Sequence, residues 1–434
     1  MIETIRTAWK IPELRKKLLF VAFILLIFRL GNNIPVPFID TASLQSYFNA
    51  QGSNILGLLN VMSGGGYGSA TMLALSIQPY INASIIIQLL TVAIPALERM
   101  QRDGGERGRK RLEQITRYTT LGLGLLQAFG YYMMIRYYGF LSNENVWAGI
   151  VIVLTFAAGS VFVMWLGEQI TEYGVGNGIS IILFGGILSR LPSAVYYMYT
   201  GVANWVSGTT DEDAVVLHPA FVPVIIIGVV LILVAVVYVS LAERRIPVQY
   251  AKRVVGRKMY GGQSTNIPMK VNMSGVMPII FAQTIASIPA TIAAFVPSFA
   301  NSAFMRVFDT DGVVYCIIYA LLIVGFSYFY AMIQFNPVEV ANNLKKQGGF
   351  IPGYRAGRPT ADFLHKVLNR ITMFGALYLM VIAILPIITG NIFNISALSI
   401  GGTSVLIVVS VALDTQKALE AQMMMRHYKG FLNS

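Results

Sequence analysis

Residues Phe221–Leu241 read FVPVIIIGVVLILVAVVYVSL, twenty-one positions without a charged side chain. A helix of that length rises about 30 Å, the thickness of a bilayer's hydrocarbon core. Phe374–Thr389 is a second apolar run. Across all 434 residues, 55% are hydrophobic and only 12% charged, and the mean hydropathy is +0.64. Soluble chains carry about 25% charged residues, so half the usual polar surface is missing. The fold class read from this is all-α, a polytopic membrane protein.

Apolar windows place ten spans near 18–35, 73–97, 115–138, 147–167, 178–199, 219–241, 271–297, 313–335, 367–388 and 398–416. Twenty-eight of the 32 Lys and Arg residues then fall in the amino-terminal segment, the tail, and the loops after spans 2, 6 and 8. Basic residues favour the cytoplasmic side. Ten spans with both termini cytoplasmic meet that rule at nearly every loop; the turn after span 4, with Glu168 and Glu172, has no basic residue. The run Leu18–Leu30 follows Arg15, Lys16 and Lys17 and precedes GNNIPVP rather than a small-residue cleavage site, so it reads as a retained first span. Ten spans divide into halves of five, 1–200 and 201–434. An odd number per half makes any internal repeat an inverted one, although no residue-level repeat is visible.

The spans themselves are nearly empty of ionisable groups. Arg29, Arg136 and Arg190 lie toward outer ends, where long side chains can snorkel, and Asp414 lies near the inner end of span 10. An ion-coupled small-molecule secondary transporter, the alternative reading, needs such groups at mid-membrane. Cys316 is the single cysteine, and His218, His365 and His427 are scattered, so neither a disulfide nor a metal motif is expected, and no cofactor. YGVGNGIS (Tyr173–Ser180) and SGGGYG (Ser63–Gly68) are glycine-rich but lack the Lys-Ser/Thr ending of a phosphate loop. The first reads as a flexible entry to span 5 and the second as a pliable segment outside span 2. Without a paired carboxylate, nucleophile elbow or His-Glu-x-x-His pattern, no enzyme is expected.

Seven stretches carry a resemblance. They are IQPYINASIIIQLL (Ile77–Leu90), GERGRKRLEQITRYTTLGL (Gly105–Leu123), EYGVGNGISIILFGGI (Glu172–Ile187) and ERRIPVQYAKR (Glu243–Arg253). NIPMKVNMSGVMPIIFA (Asn266–Ala282), NPVEVANNLKKQGGFIPGYRAG (Asn336–Gly357) and GGTSVLIVVSVALD (Gly401–Asp414) complete the set. In order and at natural spacing, they resemble the SecY family, the central subunits of bacterial protein-conducting channels. The resemblance implies a ten-helix clamshell of two pseudo-symmetric halves. Unfolded chains would cross through its central pore, and apolar signal segments would leave sideways into lipid.

The resemblance also assigns roles to residues. An apolar ring that seals by dewetting maps to Ile81, Ile85, Ile179, Leu183, Ile280 and Ile407; Leu183 stands where isoleucine is expected. Residues 53–70 map to a plug, a short helix that closes the resting pore and swings away. Leu56, Leu58, Leu59, Val61 and Met62 supply its apolar part, and Gly64, Gly65 and Gly66 make it weakly held. Gln88, Thr91, Gln127 and Asn272 are polar positions suited to the breakable seam of a lateral gate. The basic loops near 242–270 and 336–366 hold Arg244, Arg245, Lys252, Arg253, Arg257, Lys258 and Arg355 and show no apolar face that would bury them. The resemblance makes them docking sites for the ribosome and for the SecA motor ATPase, with Arg355 tied most closely to the motor. Implied partners are the small subunits SecE and SecG, signal peptides, nascent chains and the surrounding lipid; the implied location is the inner (cytoplasmic) cell membrane.

Overall fold

The computed structural model describes residues 2–50, 60, 63–102, 104–207, 218–250, 253–255, 258–260, 264–273, 275–286, 288–289, 312–393 and 402–432. An amphipathic helix α1 (Ile2–Lys10) leads into α2 (Pro12–Gly31), which starts with proline where no intrahelical donor is lost. After α3 (Thr41–Ala50) come α4 (Gln78–Ala93) and α5 (Pro95–Arg102). Ile94 is extended because it precedes Pro95, and the chain turns by 106° there. The second window therefore begins later than its apolarity indicates: residues 63–77 form turns and an isolated bridge, and helix begins only at Gln78.

Next are α6 (Gly105–Tyr137), α7 (Val146–Tyr173), α8 (Gly178–Leu188) and α9 (Leu191–Ser207). The α7–α8 turn, read from sequence as flexible, is closely fitted. Asn177 caps α8 by accepting from the N–H groups of Ile179 and Ser180, and the Gly178 N–H donates to Thr171 Oγ1 at 2.9 Å. A Cβ on Gly178 would lie 1.9 Å from the Gly167 carbonyl oxygen, so only glycine lets these helices approach so closely.

The second part of the chain comprises α10 (Phe221–Leu241), α11 (Met277–Ala286), α12 (Val313–Gln334), α13 (Pro337–Lys346), α14 (Arg358–Phe393) and α15 (Gly402–Leu432). Among the described residues, five helices are long and apolar enough to cross a membrane, or six if the bent α4–α5 pair is one span. The remaining sequence windows fall on α2, α6, α11 and α15.

Among the described residues, the strands lie outside the apolar helices. In the loop between α10 and α11 lie β1 (Glu243–Tyr250), β2 (Arg253–Val255), β3 (Lys258–Tyr260) and β4 (Ser264–Lys270); β5 (Gly349–Phe350) follows α13. They form a three-stranded sheet in the order β4-β1-β5, with Ile246 opposite Ile267, and a β2–β3 hairpin. The sheet corrects the expectation that these loops have no apolar face. Ile246 and Val248 alternate inward along β1 and join Met269, Leu344, Ile351 and Leu364 in a buried cluster.

Candidate functional site

The six ring positions lie far apart in the chain, on α4, α8, α11 and α15. Ile81, Ile85, Leu183, Ile280 and Ile407 are nevertheless buried in one apolar cluster, and Ile179 packs against it half-buried. Ile24, Phe28 and Leu73 extend the cluster toward α2 and the segment before α4. The α4 pair and the α8 pair each obey i, i+4 spacing, so each presents one helix face. The cluster joins helices from both ends of the chain, and α15 packs directly on α8.

Across the α4–α11 contact, Thr284 Oγ1 donates a hydrogen bond to Asn82 Oδ1 at 3.4 Å. Sequence reading missed this pair, although Asn82 lies inside IQPYINASIIIQLL and is polar in an apolar span, the same signal that singled out Gln88. Among the positions that were named, Gln88 and Gln127 are half-buried. Buried Thr91 turns its hydroxyl to the Gln88 carbonyl at 2.7 Å, bonding within its own helix rather than across a seam. Asn272 is 8% exposed, and its Oδ1 has no hydrogen-bond partner among the described residues. An unpaired buried acceptor costs free energy that a rearranged neighbour can recover.

Leu56, Leu58, Leu59, Val61 and Met62 lie outside the described residues. Gly64, Gly65 and Gly66 occupy consecutive turns rather than a helix, with Gly64 at φ +70° and Gly65 at +93°. Nor does Arg29 merely snorkel. Its guanidinium donates to the Gly64 carbonyl at 3.1 Å and to Ser189 Oγ at 3.3 Å, joining the ends of α2 and α8 to the glycine turn.

Arg244 and Arg245 are exposed on β1, with Arg245 2.8 Å from Glu243. Arg253 stands opposite Tyr260, and Lys258 opposite Val255, in the β2–β3 hairpin; Lys252 and Arg257 lie outside the described residues. Arg355 is exposed on the turn before α14. At the start of α6, Lys110 lies 3.0 Å from Glu106; hydrogen bonding and charge lower the Glu106 carboxyl and raise the Lys110 ammonium.

This arrangement of an apolar cluster, a bent span and basic loop modules has matches among known proteins. The sequence profile of the SecY family matches residues 71–416. The chain belongs to the SecY family. "Protein translocase subunit SecY" of Streptomyces coelicolor is 43% identical over 448 residues, covering all of both chains. Its namesake from Thermotoga maritima is 42% identical over 446 residues, covering all of this chain and 98% of the other. In fold, this SecY family member is similar to the structure titled "The structure of a protein conducting channel", with TM-score 0.62, 17% identity, and 93% and 91% of the two chains covered. It is also similar to Sec61 in the canine ribosome-channel complex from the endoplasmic reticulum, with TM-score 0.57 and 16% identity over 93% and 91% of the chains. As a SecY family member it is a multi-pass membrane protein that conducts polypeptides and is not an enzyme. The small-molecule transporter reading finds no support.

Proposed function

We propose that the chain is the pore-forming subunit of a secretory translocase in the inner membrane, with ten spans in halves 1–200 and 201–434 and both termini in the cytoplasm. Unfolded polypeptides pass through the ring Ile81, Ile85, Ile179, Leu183, Ile280 and Ile407, and apolar signal segments leave between α4 and α11. The single observation that carries this reading is the convergence of those six side chains, from four helices, into one apolar cluster. Such a cluster holds back ions by excluding water yet deforms around any passing sequence. The Asn82–Thr284 bond suits a seam that must hold when empty and yield when entered, because hydrogen bonds between helices in lipid are modest.

The chain carries no nucleotide-binding motif in its sequence, so a partner must supply the work. The relatives are named as subunits, and one structural neighbour sits on a ribosome. We therefore assign the exposed Arg244, Arg245 and Arg355 to ribosomal phosphates and to the SecA motor, and the flanking membrane positions to SecE and SecG. Basic protrusions that meet RNA phosphate bind with a steep salt dependence. Co-reconstitution of the purified chain with two small membrane subunits and a motor ATPase tests the proposal. ATP-dependent uptake of a signal-bearing polypeptide into the vesicles is expected. Solute uptake by the chain alone, without polypeptide import, would overturn it.

A further inference from the structure

We infer that α1 is an interfacial helix docked on the inner leaflet. Ile5 and Trp9 enter the acyl boundary, and Arg6 and Lys10 hold the phosphates of anionic lipid headgroups. The inference rests on the reading that places both termini in the cytoplasm.

Residues four apart share a face of a helix, so α1 presents four pairs around its circumference. Thr4 and Ala8 face the protein: Ala8 is fully buried beside Leu14, Val175 and Leu419, and Thr4 Oγ1 donates to Glu420 Oε1 at 3.3 Å. Ile5 and Trp9 lie about 100° further round. They are 46% and 48% exposed, apolar side chains that the chain leaves half uncovered. Arg6 and Lys10 follow after about another 100°, opposite the protein face. Both are exposed, and neither has a carboxylate partner among the described residues. Glu3 and Thr7 complete the circle, exposed and opposite Ile5 and Trp9, with the Thr7 hydroxyl donating to the Glu3 carbonyl at 2.8 Å.

Two hydrogen bonds fix where this helix lies. Ile11 is extended and interrupts the helix before Pro12 opens α2. Thr4 is near the start of α1, and Lys17 is where the apolar run of α2 begins. Both nevertheless reach the same turn of α15, since Lys17 Nζ donates to Gln422 Oε1 at 3.3 Å. Glu420 and Gln422 differ by only about 3 Å of rise along that helix. The start of α1 is therefore level with the start of the first span, and α1 runs beside the bilayer surface rather than away from it.

Lipid is the occupant that satisfies every face at once. An indole and a branched apolar side chain below, cations at the flank and polar groups above make the pattern of a helix lying in the interface plane. Indole rings favour the headgroup level, and long basic stems snorkel to it. Arg15 and Lys16, exposed at the start of α2, add cations at the same level. A soluble acidic partner would pair with the cations and leave Ile5 and Trp9 in water.

The test uses the full translocase in vesicles of equal parts phosphatidylcholine and phosphatidylglycerol. Trp147→Phe, Trp165→Phe and Trp205→Phe, with partner subunits free of tryptophan, leave Trp9 as the reporting indole. Nitroxide-labelled lipid chains should quench it. Quenching should be several-fold stronger with the label on phosphatidylglycerol, since one cation near an anionic surface is worth about fivefold. Arg6→Gln with Lys10→Gln should erase that preference and leave quenching by phosphatidylcholine in place. Absence of quenching by either lipid means that protein or water covers this face, and overturns the inference. Equal quenching by both lipids in the parent, or a preference that survives in the double variant, overturns the headgroup site. Labelling of Lys10→Cys, in a Cys316→Ser background, by a membrane-impermeant maleimide separates the two layers. Reaction from the outer side alone overturns the topology reading, whereas Trp9 quenching reports lipid contact from either side.

Discussion

Thr284 on α11 reaches Asn82 on α4 through a 3.4 Å hydrogen bond, a polar contact beside a cluster that is otherwise apolar. Such bonds between helices in lipid contribute about 0.6 kcal/mol, so removing one shifts a gate equilibrium by about threefold. Asn82→Ala should therefore lower the hydrophobicity a signal segment needs to insert laterally. Insertion of a graded series of leucine-containing segments measures it; an unshifted midpoint would remove this pair from the gate.

Ile85 and Ile407 are 3% exposed, on α4 and α15, within the central cluster. Asparagine at either place sets an amide among isoleucines, at a cost of about 1–3 kcal/mol to the sealed state unless water enters. Ile85→Asn and Ile407→Asn should each raise resting ion conductance and pass defective signal sequences. Planar-bilayer recordings of the idle channel read the first effect directly, and conductance equal to the parent would place the seal elsewhere.

The spans were legible because an uncharged run such as Phe221–Leu241 has one physical destination. The proposed ring positions were singled out only through motif resemblance, since a buried isoleucine at one of them looks like any other; the structure gathers them in one apolar cluster. What sequence reading lost was local and polar. The alternation of Ile246 and Val248 is plain in ERRIPVQY, yet the many charges of the whole loop masked it. Arg29 looked like an interfacial anchor because nothing in an apolar helix announces a carbonyl partner on Gly64. Three glycines in a row read as looseness, whereas their partners Asn32 and Thr71 become visible only once the chain has folded back.

Asp40 offers a pH test on the loop between α2 and α3. Its carboxylate accepts from Ser43 Oγ at 2.6 Å and from the N–H groups of Ala42 and Ser43, capping α3. These bonds, the Ser43 hydroxyl foremost, hold its pKa below 3.8. A depressed folded pKa means the contribution is full above the unfolded value and fades as pH falls through the folded one. Asp40→Ala should lower the thermal midpoint of the detergent-solubilised complex at pH 7, and the gap should close as the pH is lowered past that value. A gap independent of pH would assign the effect to packing.

Ile246 and Val248 hold the loop sheet together, at 3% and 0% exposure. Ile246→Ala should cost that module about 2–5 kcal/mol, whereas Arg244→Ala, an exposed neighbour, should leave it folded. Limited proteolysis of membranes carrying each variant distinguishes them. Equal protection of the two loops would mean the cluster does not stabilise the sheet.

Arg355 is the sharper test of docking, because its surroundings are fixed while its side chain is exposed. Its carbonyl accepts from Thr360 Oγ1 at 2.7 Å, and the Tyr354 ring stacks on Phe363 with centroids 4.2 Å apart. Gly353 and Gly357, at φ +88° and +105°, shape the turn on either side. A reversed charge there changes what a partner meets and not how the turn is built, so Arg355→Glu should accumulate normally and resist proteolysis like the parent. Export driven by the motor ATPase should fall steeply, while insertion driven by a translating ribosome falls less. Equal losses in both would make Arg355 a shared contact, and unchanged motor-driven export would remove it from the docking surface.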